Sequence, residues 1–353
     1  MRERSKGAAL ATGMACCLAL SPLCGAQETG ERESPWLLTP TASSDPKLGT
    51  RIGFFAGYIP RLDPGSTQSM IAAFGNYSDT DSYTFGLFGD LYFKADQHKV
   101  MFGAFGGKIR NEYDDFLGTG LTAKTEDDME GLFGRYSYRV ADNWYLGAQA
   151  VSTNYVIGAD GTWEPILGLI GLTGFDSNAL GLVAEFDSRD NVRNATRGRH
   201  FITHNFAYRE SLGGDESFDT LQAEFVQMIP FGEQHVLAVQ ARGRWTHDAP
   251  LAGYSSLTLR GYTRGNYLAE HYSHIDVDAR FHLRGRWGLT AFAGIGCLYS
   301  KVSDCGNSED LYASAGGGIS YLLKPDAGIV LRAEYAVGEQ DNSAFLFSVG
   351  QPF

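Results

Sequence analysis

Few side chains in this sequence stand at spacings that chemistry can use. His271 and His274 lie three apart in an alternating run, where a strand turns them to opposite sides and denies them a shared metal. His247-Asp248 sets an imidazole beside a carboxylate, but no second acid pair is spaced to complete a hydrolytic centre. Asp114-Asp115 and Glu126-Asp127-Asp128 bracket one long segment. A solvated loop is the expectation there, with divalent cations held between lipopolysaccharide head groups as the alternative. Asn194-Ala-Thr196 has the glycosylation pattern but sits at a short turn. There is no Gly-x-Ser-x-Gly turn and no phosphate-binding loop. Cys297 and Cys305 are an even pair that predicts a disulfide, since two thiolates alone cannot complete a tetrahedral metal site. The expectation is a chain that is no enzyme, with no metal and no cofactor.

The charges are informative through their phase. From His274 to Arg284 the sequence alternates without a break: Ile275, Val277, Ala279, Phe281 and Leu283 point one way, and Asp276, Asp278, Arg280, His282 and Arg284 the other. Leu237, Val239, Ala241 and Trp245 alternate with Gln240, Arg242 and Arg244. Ile329, Leu331, Ala333, Tyr335 and Val337 alternate with Arg332 and Glu334, and Phe85, Leu87 and Leu91 share a face within 83–93. Each run is about as long as a strand that crosses a bilayer, and its charges occupy one face. An unpaired charge in hydrocarbon is costly, so the charged face must line a lumen. Only a closed barrel lets such strands cross, because an open edge strands backbone donors and acceptors in lipid.

Turn signals predict strands near 35–43, 50–60, 67–77, 80–94, 97–110, 127–140, 143–156, 177–188, 197–211, 217–231, 233–247, 269–285, 287–300, 310–323, 326–338 and 343–353. That is an all-β, antiparallel transmembrane barrel of sixteen strands. A fourteen-strand barrel, lacking the first two, has the same parity. With 353 placed on the periplasmic side, the long connections 111–126, 157–176, 248–268 and 301–309 face outward and the short ones inward, as in outer-membrane barrels. Ser188–Thr196 is the one long inward turn in this reading.

Composition agrees. Glycine supplies 44 of 353 residues, roughly one in eight against an average of about 7%. The net charge of -12 argues against a nucleic-acid partner. A hydrophobic share of 43% argues against disorder, and a mean hydropathy of -0.20 excludes a multi-helix membrane protein. Residues 1–26 read as a secretory signal, with basic MRERSK, an apolar middle and Gly25-Ala26 at the cut. Residues 27–34 read as a short leader, and 35–353 as the barrel.

Three motifs carry a resemblance. The last predicted strand ends AFLFSVGQPF, with Phe345, Phe347, Val349 and Phe353 on one face, and looks like the assembly signal of bacterial outer-membrane barrels. Leu259-Arg260-Gly261-Tyr262 sits in the loop ahead of the last five strands. Asp187-Ser188-Arg189-Asp190-Asn191, followed by Arg197-Gly198, precedes the ninth. Together they resemble the bacterial surface antigen family, the barrel of BamA- and TamA-type assembly and secretion proteins. The resemblance covers roughly 35–353 and is strongest from 177 onward.

It implies that the loop bearing Arg260 folds into the lumen, that Gly261 allows its tight turn, and that the guanidinium pairs with acids on the wall. The family often places an aspartate where this chain has Gly294, so Glu334, or Asp276 and Asp278, are the acids expected to serve. Full-length relatives carry periplasmic POTRA domains. Here few residues precede the first predicted strand, which implies a short form and a separate POTRA-bearing or other periplasmic partner. The implied setting is the Gram-negative outer membrane, among lipid and lipopolysaccharide. Barrel assembly machinery and periplasmic chaperones would insert the protein. The implied role is insertion, translocation or surface display, working through a weakly paired seam between first and last strands, where Pro40, Gly350 and Pro352 impair the ladder. A passive pore or structural surface protein is the alternative, and an outer-membrane hydrolase a minor one.

Overall fold

The structure is a computed structural model that describes residues 34–45, 49–113, 123–159 and 174–353. The predicted signal, the leader up to residue 33, and Asp114-Asp115 lie outside these. The strands are β1 (Trp36–Asp45), β2 (Gly49–Tyr58), β3 (Met70–Ser78), β4 (Tyr83–Phe93), β5 (His98–Tyr113), β6 (Ala123–Ala141), β7 (Trp144–Ala159) and β8 (Gly174–Asp187). There follow β9 (Gly198–Tyr208), β10 (Phe218–Phe231), β11 (His235–His247), β12 (Ser255–Ser256), β13 (Leu268–Ala269), β14 (His271–His282), β15 (Trp287–Tyr299), β16 (Leu311–Lys324), β17 (Ile329–Gly338) and β18 (Ser343–Val349). Sixteen of them close an antiparallel barrel, and β12 and β13 form a separate small ribbon within the 248–270 loop.

Alternation sorts the wall. Ile275, Leu289, Ile295 and Leu182 are exposed on the outer face, while Asp276, Asp278, Arg280 and Arg332 are buried inside. Outward aromatic pairs ring the short-turn end: Trp36 on Tyr58 (4.7 Å), Trp144 on Phe186 (5.2 Å), Phe231 on Phe281 (5.8 Å) and Trp287 on Tyr321 (4.8 Å). Such rings sit at a membrane interface, and the apolar band beyond them spans hydrocarbon. The protein is an integral outer-membrane barrel.

Four sequence readings change. Ile329 does not face lipid: the register slips between Leu322 and Lys324, and the slip carries Ile329 into a buried cluster with Leu37, Phe55 and Ala327. Arg284 lies past the end of β14, exposed in a turn rather than in the lumen. Glu126-Asp127-Asp128 belong to β6, not to a loop. Asp127 points in and accepts from the Tyr155 hydroxyl (2.9 Å), whereas Glu126 and Asp128 pair with Lys108. The predicted last strand stops at Val349. Gly350, at φ +111°, turns the chain inward.

Candidate functional site: a charged lock in the lumen

The 248–270 loop enters the barrel because its sequence suits it on both sides. Leu257 and Leu259 are buried with Tyr272 and Leu298. They fit because the wall is bare at two positions beneath Leu259: a Cβ on Gly294 would stand 2.9 Å from Leu259 Cδ2, and one on Gly296 3.2 Å from Leu259 Cδ1. The missing aspartate at 294 is therefore what makes room for the loop. Gly261, at φ +95°, turns the loop against Val337 and Gly338. Tyr262 covers Gly338, donates to the Ala313 carbonyl (2.6 Å) and accepts from the Glu339 N–H (2.7 Å). Burial pushes its phenol up to about 12, so the donor stays protonated.

Between these anchors Arg260 reaches three acids. Nη1 donates to Asp278 (2.9 Å), Nη2 donates to both oxygens of Asp276 (3.1 Å each), and Glu334 lies 3.5 Å from Nη1. The guanidinium stacks over the Phe292 ring, 3.5 Å from its centroid. The alternatives left open in the sequence, Glu334 or Asp276 with Asp278, are all brought to this one group.

Two further arginines share those acids, a feature that sequence reading had only as phase. Arg332 contacts Asp278 (2.7 Å) and Glu334, and Arg280 contacts Asp278 (3.0 Å). Each also sends one donor to the segment after β18. Arg332 Nη1 donates to the Gln351 side-chain oxygen (2.6 Å), and Arg280 Nη2 to an oxygen of Phe353 (2.9 Å). Phe353 packs inside the lumen on a cluster of Ala195, Val226, Met228, Val236 and Ala238. It thus does not share the outer face that Phe345 presents, and Val349 packs beside Ile329 and Leu37.

The 188–197 turn closes the same end. Arg189 bonds Asp187 (2.7 and 2.9 Å), and the Asn191 side chain accepts from the N–H groups of Arg193 (2.9 Å) and Asn194 (3.0 Å). Asp190 accepts from the Thr196 and Arg197 amides (2.9 and 3.3 Å) and stands 3.7 Å from Arg197 Nε. Ser188 bonds across to Arg199 (3.1 Å). Gly198, at φ +104°, passes so close to the Ser188 carbonyl that a Cβ would stand 2.3 Å from it. From this turn Asn194 accepts from the Gln351 amide (2.8 Å), and the Ala195 carbonyl from Arg280 (3.4 Å).

The other candidates stay apart. His274 faces Gln240 inside the barrel, while His271 accepts from the Thr246 amide. His247 and Asp248 pair at 3.0 Å, both exposed. Glu185, Asp187 and His200 converge like metal ligands, but the Lys99 ammonium already lies 3.1 Å from Glu185 and 3.9 Å from Asp187. Cys297 and Cys305 are bonded, tying the 300–310 loop to β15.

The seam is thin. All ten residues of β1 pair with β2, yet β1 pairs with β18 only at Ser44–Phe345. Continued in that register, the ladder would set Ala42 against Phe347 and Pro40, which has no N–H, against Val349.

No family model and no curated protein matches the chain. Solved structures do. BamA from Haemophilus ducreyi, lacking POTRA domains 1–3, superposes with a TM-score of 0.55 at 14% identity, over 90% of this chain and 71% of that one. CdiB from Acinetobacter baumannii gives 0.62 at 9% identity, over 89% and 59%. CdiB from Escherichia coli gives 0.60 at 12% identity, over 91% and 63%, so this chain spans less than two thirds of either CdiB chain. At such identities the likeness is one of fold: this chain is folded as a BamA-like outer-membrane barrel.

Proposed function

We propose that the protein acts in outer-membrane protein insertion, translocation or surface display by opening the wall between β1 and β18, and that it does so without catalysing a covalent reaction. The observation that carries this reading is the single paired position at Ser44–Phe345. A parted seam presents the free edge of β1, whose N–H and C=O groups can be capped by an incoming strand. The Arg260 loop keeps the lumen shut meanwhile, with its charges satisfied inside the barrel. Lipid and lipopolysaccharide surround the belt. Assembly machinery and chaperones insert the protein, and a separate periplasmic partner, POTRA-bearing or otherwise, delivers the client. A resident passive pore fits less well, because loop and tail both occupy the lumen.

The test replaces the native gene with a Ser44→Cys, Phe345→Cys copy and compares outer-membrane and surface proteomes with those of a deletion strain. The oxidised copy should reproduce the deletion's losses, and reductant should restore them. A crosslinked copy that behaves like the parent sinks the seam mechanism. A deletion that changes neither proteome sinks the role.

A further inference from the structure

We infer that Gly350–Phe353 is a latch through which the periplasmic turn 188–197 sets the grip of the lumen on the Arg260 loop. The inference depends on no client and stands apart from what crosses the seam.

It rests on a shortage of acceptors. Asp278, fully buried, takes bonds from Arg260, Arg280 and Arg332 together. Asp276 and Glu334 are the other acids in contact with this cluster. Arg332 is itself buried, and its Nε has no partner, so donors already outnumber acceptors. The tail makes up part of the shortfall, Gln351 serving Arg332 and Phe353 serving Arg280. The Phe353 ring also lies 5.9 Å from the guanidiniums of both Arg260 and Arg280.

The tail is held there by the turn, through Asn194 on Gln351 and Ala195 beneath the Phe353 ring. If the turn moves, the tail leaves. Arg280 and Arg332 must then draw harder on Asp278 and Glu334, and Arg260 keeps Asp276 as its main anchor. A buried cation that loses its acceptor is costly, so the competition favours release of the loop, which alone among the three can swing into water. The periplasmic end thereby biases a surface loop on the far side through one carboxylate.

The experiment places a reporter thiol in the loop, Thr263→Cys, at a site 8% exposed, and follows maleimide labelling of intact cells. Adding Arg260→Ala should raise the labelling rate and prove the reporter. Gln351→Ala should raise it about tenfold, the change expected from one charge-assisted hydrogen bond. Gln351→Glu keeps an acceptor for Arg332, and a flip of the Asn194 amide turns its Nδ2 donor toward the new carboxylate in place of the Gln351 donor, so it should label near the parent rate. Asn194→Ala frees the tail without touching that acceptor and should label faster than the parent; it also serves if Gln351→Ala fails to assemble. Parent-rate labelling in both Gln351→Ala and Asn194→Ala, with the Arg260→Ala control fast, overturns the latch. So does Gln351→Glu labelling as fast as Gln351→Ala.

Discussion

Asp278 has no exposed surface and carries three guanidiniums on two oxygens, and that arithmetic governs its substitutions. Replacing it with asparagine keeps the shape and removes the charge, leaving buried arginines short of a counterion. The barrel should lose about 3–5 kcal/mol, read as an earlier urea unfolding midpoint. Asp276→Asn, whose carboxylate serves Arg260 alone in this cluster, should cost less. Arg260→Ala removes the lock without stranding a cation, so its effect should fall on the lumen: single-channel conductance in planar bilayers should rise, and an unchanged conductance would remove the plug. Gly294 supplies the complementary test. A side chain there meets Leu259 and the Ile275 carbonyl, so Gly294→Asp, although it restores the acid common in the resembling family, should expel the loop and raise conductance as well.

At the scale of elements, the 188–197 turn has a pH signature. Burial pushes the Asp190 carboxyl up, but the Thr196 hydroxyl and the Thr196 and Arg197 amides outweigh it and hold it below its ordinary value of 3.8. A depressed carboxylate contributes stability that is complete above the unfolded value and is lost as pH falls through the folded one. Pepsin should therefore spare the turn near pH 5 and cut it increasingly below about pH 3.8, with Asp190→Asn cut at both. The 300–310 loop offers a second check. Its disulfide closes a short ring, a constraint of about 2–3 kcal/mol on the open ensemble. Reductant should raise hydrogen exchange in that loop and leave exchange in β15 and β16 as it was.

Elements also mark where sequence reading stops. The turn was legible as a turn from Asp187 to Gly198, because aspartate, asparagine and glycine are turn chemistry. That it reaches Gln351 was not, since nothing in either segment encodes the other. Period-two counting puts Phe353 on the same face as Phe345 and Phe347, because it cannot register the reversal at Gly350. The 59–69 connection runs longer than the predicted 61–66, held to its neighbouring turn by Asp63, which accepts from the amides of Lys94 and Ala95.

For the whole molecule, the sixteen strands were readable because each has one greasy face and one wet face, a pattern no averaged hydropathy reveals and no other closed architecture needs. What the pattern leaves open is how well the ends meet, because alternation is blind to pairing. That depends on Pro40 and on the departure of the chain at Gly350. A bilayer squeezes and stretches any cylinder embedded in it, and the resulting hoop stress is carried all the way round the circumference. A hoop yields at its weakest joint whatever the direction of the load. In this one the joint is a single residue pair wide, so the place of failure under tension is chosen before any client arrives.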